Sequence, residues 1–183
     1  MFIQTEETPN PATMKYLPGR EVMEEGTLDI GKREDAENSP LAQRLFAIEG
    51  VHGVFLGKDF ISVTKAEGKS WTAMKPAVLT AIMEHYTSGD PVLKTPNASV
   101  KAKVEDEGPI VAKIRDLLDH KIRPALAQDG GDISFQRFED GIVYLTLKGA
   151  CSGCPSASMT LKAGVESLLR HYIPEVLEVR QVR

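Results

Sequence analysis

The feature that most constrains the fold of this sequence is a change of pattern between residues 88 and 109. The stretch SGDPVLKTPNASVKAKVEDEGP contains three prolines, scattered small polar residues and the acidic run Glu105-Asp106-Glu107. Its few large apolar residues keep no sustained period, which predicts a flexible linker over residues 89–108. The alternative is a long ordered surface loop within one domain. With a linker, the 183 residues divide into a first domain, residues 1–88, and a second domain, residues 109–183.

The pattern of the first domain predicts an α+β sandwich in the order strands, helix, hairpin, helix. The two prolines of TPNP favour a fixed turn and allow only edge or loop structure around them. Ser39 followed by Pro40 is typical of a helix start. Two β-rich runs around Gly57-Lys58-Asp59 predict a hairpin. In the second helix, Pro76 indicates either a start after Trp71 or a bend.

The second domain predicts a second small α/β sandwich, in the order helix, strand, strand, cysteine loop, helix, strand. Apolar residues at helical spacing begin after Pro109, and Pro124 is expected to kink that helix. Gly130 and Gly131 predict a helix stop and a turn rather than a contact with a bound group. Asp140-Gly141 is a hairpin signal, and the run EVLEVRQV predicts a short last strand.

Composition excludes several classes of function. The chain has 22 basic and 26 acidic residues, well mixed, for a net charge of −4, which does not favour nucleic-acid binding. No apolar run approaches the roughly 20 residues of a membrane span. The first ten residues lack the features of a secretory signal and are acidic, so we expect a cytoplasmic protein.

The segment GACSGCPSAS holds Cys151 and Cys154, the only two cysteines of the chain. Pro155 is a suitable first helical residue, which makes Cys154 the expected N-cap. The unpaired N–H groups and the positive end of the helix dipole there favour a thiolate, a better metal ligand and a better nucleophile. The spacing leaves three interpretations open: two small residues in a tight turn, a dithiol redox pair, or half of a metal site. A dithiol pair is expected after the strand of a βαβ unit, whereas this loop leaves an antiparallel hairpin.

A tetrahedral zinc site or a cubane cluster requires four protein ligands, and one chain supplies only two cysteines. The histidines do not have the spacing of a zinc finger, and we expect each of them at the surface or half-buried: His52, His85, His120 and His171. Two copies of the cysteine pair across a two-fold axis would supply four thiolates. A structural zinc ion between two chains uses the same thiolates and stays an alternative.

Two parts of the sequence resemble the Nfu family of iron–sulfur proteins. DGGDI at 129–133 and LKGACSGCPSASMTLKAGVE at 147–166 resemble the NifU-like domain, and TEETPNPATMKYLPG at 5–19 resembles the opening of the Nfu N-terminal domain. The resemblance implies a non-enzymatic scaffold or carrier that holds a [4Fe-4S] cluster between the two chains of a homodimer. It implies Cys151 and Cys154 as ligands, upstream cluster-assembly machinery as donor, and apo iron–sulfur proteins as acceptors.

Overall fold

A computed structural model describes residues 1–95, 108–152 and 155–182 of the chain. The chain forms two compact units, Met1–Val100 and Lys101–Arg183, and each contains helices and a sheet. The predicted α+β class is therefore confirmed. Most of the predicted linker, residues 96–107, lies outside the described residues, so the linker bounds and its flexibility stay predictions.

The first unit is built on a five-stranded antiparallel sheet with the strand order β1-β2-β5-β4-β3. Its strands are β1 (Gln4–Glu7), β2 (Thr13–Leu17), β3 (Leu28–Ile30), β4 (Val51–Leu56) and β5 (Ile61–Lys65). The predicted hairpin is the pair β4–β5. Strand β2 was not predicted, because the prolines next to it indicated a loop; they lie in the turn between β1 and β2, where Thr8 and Asn10 satisfy the backbone.

Two helices supply the other half of the first core. They are α1 (Pro40–Phe46) and α2 (Trp71–Ser88), and a short 3-10 helix, Arg33–Asn38, precedes α1. Ser39 caps α1, as predicted. Of the two alternatives predicted for α2, a start after Trp71 is wrong, because Ser70 accepts a hydrogen bond from the Thr72 N–H and the helix runs from Trp71 through Pro76. A bend at Pro76 stays a prediction. Pro76 lies inside the helix and has no N–H to donate to the Thr72 carbonyl, so α2 lacks one hydrogen bond there.

The second unit has a three-stranded sheet of order β6-β7-β8. Its elements are α3 (Gly108–Leu117), α4 (Arg123–Gln128), β6 (Gly131–Glu139), β7 (Ile142–Gly149), α5 (Pro155–Tyr172) and β8 (Glu178–Gln181). The predicted element order is confirmed. Apolar residues of the helices and of all three strands form one buried cluster. Among the described residues, no helix is both long and apolar enough to span a membrane.

The first helical region of this unit is interrupted just ahead of Pro124 and continues beyond it as α4, while the predicted kink stays a prediction. The interruption is a π-helical turn, Leu118–Ile122, between α3 and α4. Pro124 cannot donate a hydrogen bond to the carbonyl of His120, and its ring crowds that carbonyl, so the backbone widens locally. Leu118 and Ile122 are still buried, so the helical region keeps one apolar face toward the sheet.

Candidate functional site

Cys151 lies in the connection between β7 and α5. Strand β7 ends at Gly149 and α5 begins at Pro155, where the sequence predicted the helix start. The Cys151 residue is only 6% exposed and belongs to the hydrophobic core of the second unit. Cys154 lies outside the described residues, so its predicted place at the N-cap and the predicted pairing of the two thiols as ligands stay predictions.

The Cys151 side chain packs against the backbone of Gly131. Gly131 pairs with Gly149 at the end of the β6–β7 ladder. Next to this pair, the Ala150 N–H donates to the Gly130 carbonyl at 3.1 Å. A Cβ atom on Gly131 would overlap Cys151 Sγ and would lie 2.9 Å from the Lys148 carbonyl oxygen. Only glycine fits there without displacing the cysteine. Sequence reasoning missed this contact, because it explained the two glycines by the turn alone.

An ion pair between Arg123 and Asp132 connects the two elements on either side of this turn, α4 and β6. The Arg123 guanidinium donates from Nε to Asp132 Oδ1 at 2.8 Å and from Nη2 to Asp132 Oδ2 at 2.9 Å. Asp132 is 4% exposed, and Arg123 Nη1 also donates to Asp119 at 3.0 Å. The hydrogen bonds and charge of Asp132 raise the pKa of Arg123 above its usual value, although burial opposes the shift. The sequence contained no local signal for this pair, since its members are nine residues apart on different elements.

The histidines are not gathered around the cysteine loop in any described part of the chain. His52, His120 and His171 are exposed, as expected. His85 is different: it is fully buried in the first unit, and its two ring nitrogens have no hydrogen-bond partner among the described residues. The expectation of a surface position for His85 is wrong, because this face of α2 packs into the core. Within residues 1–95, 108–152 and 155–182, no group of three or more His, Cys, Asp or Glu side chains is arranged to hold a metal ion.

The strand context of the cysteine loop differs from expectation. Strand β7 is antiparallel to β6, as predicted, but it is also parallel to β8, and α5 connects the two parallel strands. The loop therefore follows the first strand of a βαβ unit. The predicted argument against a dithiol redox pair is wrong, because the hairpin before the loop did not reveal the parallel partner after it.

The fold and this loop define a protein of two small α+β units, the second of which has a buried cysteine at a strand-to-helix turn. Residues 3–89 match the family model described as "Scaffold protein Nfu/NifU N terminal", and residues 114–180 match the NifU-like domain. The human protein named "NFU1 iron-sulfur cluster scaffold homolog, mitochondrial" is 48% identical over 100% of this chain and 72% of its own length. The chain belongs to the Nfu family.

Other relatives share the same extent of similarity. A protein of the same name from Drosophila ananassae is 50% identical, and the match covers 100% of this chain and 64% of the fly protein. "NifU-like protein 4, mitochondrial" from Arabidopsis thaliana is 48% identical over 99% of this chain and 66% of the plant protein. The chain thus spans less than two thirds of the length of several relatives.

The names of these relatives correct the expected location. The fly, human and plant proteins are all named mitochondrial, which points to mitochondria and contradicts the prediction of a cytoplasmic protein. That prediction rested on the absence of targeting features from the printed residues. A targeting segment is separate from the folded domains. The composition of two folded domains therefore could not identify the compartment.

Proposed function

We propose that this protein is an iron–sulfur cluster scaffold or carrier without catalytic activity of its own. Two protomers hold one [4Fe-4S] cluster, and each contributes the thiolates of Cys151 and Cys154. The observation that supports this most strongly is the similarity over the full chain to proteins named iron-sulfur cluster scaffold. The cluster is cargo in this proposal: it arrives from upstream assembly machinery and leaves for apo-proteins.

The number of thiols supports a site shared between chains. A cubane cluster is held by four cysteine thiolates, and each chain supplies two cysteines. A two-fold axis through the cluster brings four thiolates together without any further ligand type. The sulfur of Cys151 is a soft ligand, suited to iron in a cluster.

The burial of Cys151 gives the loading step a physical requirement. The Cys151 residue is 6% exposed and belongs to the core of the second unit. In this proposal loading exposes its sulfur to the second protomer, and release allows it to be buried again. Transfer then proceeds by ligand exchange, in which each acceptor thiolate replaces one of these thiolates on iron and no electron changes hands.

Anaerobic reconstitution with iron and sulfide tests the proposal. The wild-type protein is expected to gain the charge-transfer absorption of a [4Fe-4S] cluster and to elute as a dimer. The Cys151→Ala, Cys154→Ala double variant is expected to gain neither. Metal analysis of protein purified without oxygen separates iron from structural zinc. A cluster retained by the double variant would exclude these ligands.

The βαβ position of the loop favours one second candidate, a dithiol oxidoreductase. In that case the two cysteine thiols of one chain would be oxidised to a disulfide in each turnover while a substrate disulfide is reduced to two thiols, and a second dithiol would restore the reduced protein. The iron-free monomer would then reduce or oxidise a model disulfide substrate catalytically. The cluster proposal predicts no turnover beyond that of a small-molecule dithiol, and catalytic turnover by the protein prepared without iron would favour the oxidoreductase.

A further inference from the structure

We propose that Arg123 and Asp132 are a positioning pair for Cys151. Their ion pair fixes the Gly130–Gly131 turn, and the Cys151 thiol packs against that turn. The inference rests on the proposed function only where it treats Cys151 as a cluster ligand. The contacts themselves involve only residues of this chain.

The geometry makes this pair a closure of a short segment. Arg123 is the first residue of α4, and Asp132 is the second residue of β6. The two parallel hydrogen bonds, 2.8 and 2.9 Å, therefore tie the start of the helix to the start of the strand. The segment between these two residues, which consists of the rest of α4 and the turn with both glycines, is therefore fixed at both ends. A forked guanidinium–carboxylate pair fixes orientation as well as distance, which a single hydrogen bond does not.

The segment between Arg123 and Asp132 contacts the cysteine through the backbone of Gly131. Gly131 lies directly next to the carboxylate-bearing residue in sequence, and its Cα faces Cys151 Sγ. The Gly130 carbonyl accepts the Ala150 N–H, so the residue before Cys151 is held by the same turn. A backbone contact cannot adjust by changing a rotamer. If the turn loosens, the Gly131 backbone moves away from the Cys151 thiol. If the turn stays fixed, Cys151 remains buried.

The test measures how readily Cys151 leaves that position, in the full-length iron-free protein. In a Cys154→Ser background, Cys151 is the single thiol, and its rate of alkylation by iodoacetamide reports its exposure. We expect Asp132→Asn to raise the rate roughly tenfold, because the turn opens locally more often. Arg123→Lys keeps the charge but loses the fork, and a rise in the same direction is expected. This second variant decides the matter if Asp132→Asn does not fold.

Asp119→Asn is the matched control, because it makes the same loss of negative charge at the other, exposed hydrogen-bond partner of the same arginine. We expect its alkylation rate to stay within about twofold of the parent, since the turn remains closed. Hydrogen exchange separates positioning from general destabilisation: the Ala150 amide is expected to lose protection in Asp132→Asn, while amides in the centre of β7 keep theirs.

The proposal is overturned if Asp132→Asn and Arg123→Lys alkylate no faster than Asp119→Asn. It is also overturned if protection falls equally along the whole of β7, since the pair would then support the domain and not the turn. Neither readout involves iron. A failure of the cluster proposal in reconstitution therefore leaves this result unaffected, and the two failures can be distinguished.

Discussion

Gly131 and Cys151 are twenty residues apart in the sequence and pack directly against each other in the fold. The glycine is not there for a left-handed backbone, because its φ lies outside that region; it is there because a side chain would overlap the sulfur. Gly130, next to it, does adopt a left-handed conformation with φ 76°. The two adjacent glycines therefore serve different purposes, one for the turn and one for the cysteine.

Substituting Gly131 with alanine tests the tight contact. The new methyl group must displace Cys151 Sγ or the Lys148 carbonyl, so the second unit should lose about 2 kcal/mol of unfolding free energy, as expected for overpacking. Urea denaturation measures this loss. Gly164→Ala is the control: no atom lies within 4 Å of its added Cβ, and in the middle of α5 alanine should stabilise by up to about 1 kcal/mol. Equal effects of the two substitutions would contradict the contact.

His85 makes the first unit sensitive to acid. Burial lowers the pKa of its ring, the positive charge of Arg44 lowers it further, and Asp90 opposes them. The folded protein therefore keeps His85 neutral at a pH where the unfolded chain, with a pKa of about 6.5, binds a proton. Stability from this group is complete above that pH and declines as pH falls toward the lowered folded value.

Thermal unfolding between pH 8 and pH 5, in steps of roughly half a unit, measures this dependence across the titration range of histidine. The wild-type melting temperature should fall on the acid side, and His85→Leu should weaken the fall because it removes the buried ring. His52→Gln, at an exposed site on β4, is the matched control and is expected to keep the wild-type profile. A His85→Leu profile parallel to the wild type would refute the assignment.

Some of the site could be predicted from local sequence, and some could not. The helix start at Pro155 and the position of Cys151 after a strand follow from short-range preferences for proline and for β-rich runs. The contact of Cys151 with Gly131 and the Arg123–Asp132 pair depend on which strands and helices meet, and no window of neighbouring residues contains that information. The burial of His85 is similar, because a polar residue inside an apolar helix face has no signature of its own.

At the scale of elements, Ser39 links α1 to the segment that follows α2. Its hydroxyl accepts from the Ala42 N–H at 3.2 Å and donates to the Val92 carbonyl at 2.7 Å, and the residue is 1% exposed. Lys94 and Thr95 hydrogen bond to Asn38 beside it. The first residues after α2 are therefore held against the first unit by backbone and side-chain hydrogen bonds.

Ser39→Ala should destabilise the first unit by about 2 kcal/mol, because it removes a helix cap and leaves the half-buried Val92 carbonyl without its donor. Ser70→Ala removes the exposed cap of α2 and should cost about 0.5–1 kcal/mol. Chemical denaturation of both variants compares them directly. A Ser39 effect no larger than that of Ser70 would show that the second hydrogen bond contributes nothing.

Elements that continue a local pattern were predicted well, and elements that depend on distant pairing were not. The β4–β5 hairpin and the capped helix α1 follow from turn and cap residues. Strand β2 was missed because the nearby prolines dominate its local signal, yet Met14 and Tyr16 are buried between β1 and β5. The parallel β7–β8 pair was missed for a related reason. The sequence of β7 and its hairpin partner β6 does not indicate which strand pairs with the other edge of β7.

At the scale of the whole molecule, the proposed function requires something that one chain does not contain. One thiolate pair cannot complete the coordination of a cubane cluster, so the functional unit is expected to be two chains and one cluster. The count of cysteines could be taken from the sequence, and the kind of metal could not. The identity of the cluster rests on the family, and the cellular compartment came from the names of relatives alone.

Native mass spectrometry of the anaerobically reconstituted protein tests the central claim most directly. The predicted species is two chains with four iron and four sulfide ions, and it should be absent from the Cys151→Ala, Cys154→Ala double variant, which should remain free of iron. A single chain that carries a complete cluster, or a dimer of the double variant that retains one, would contradict a cluster shared through these two cysteines.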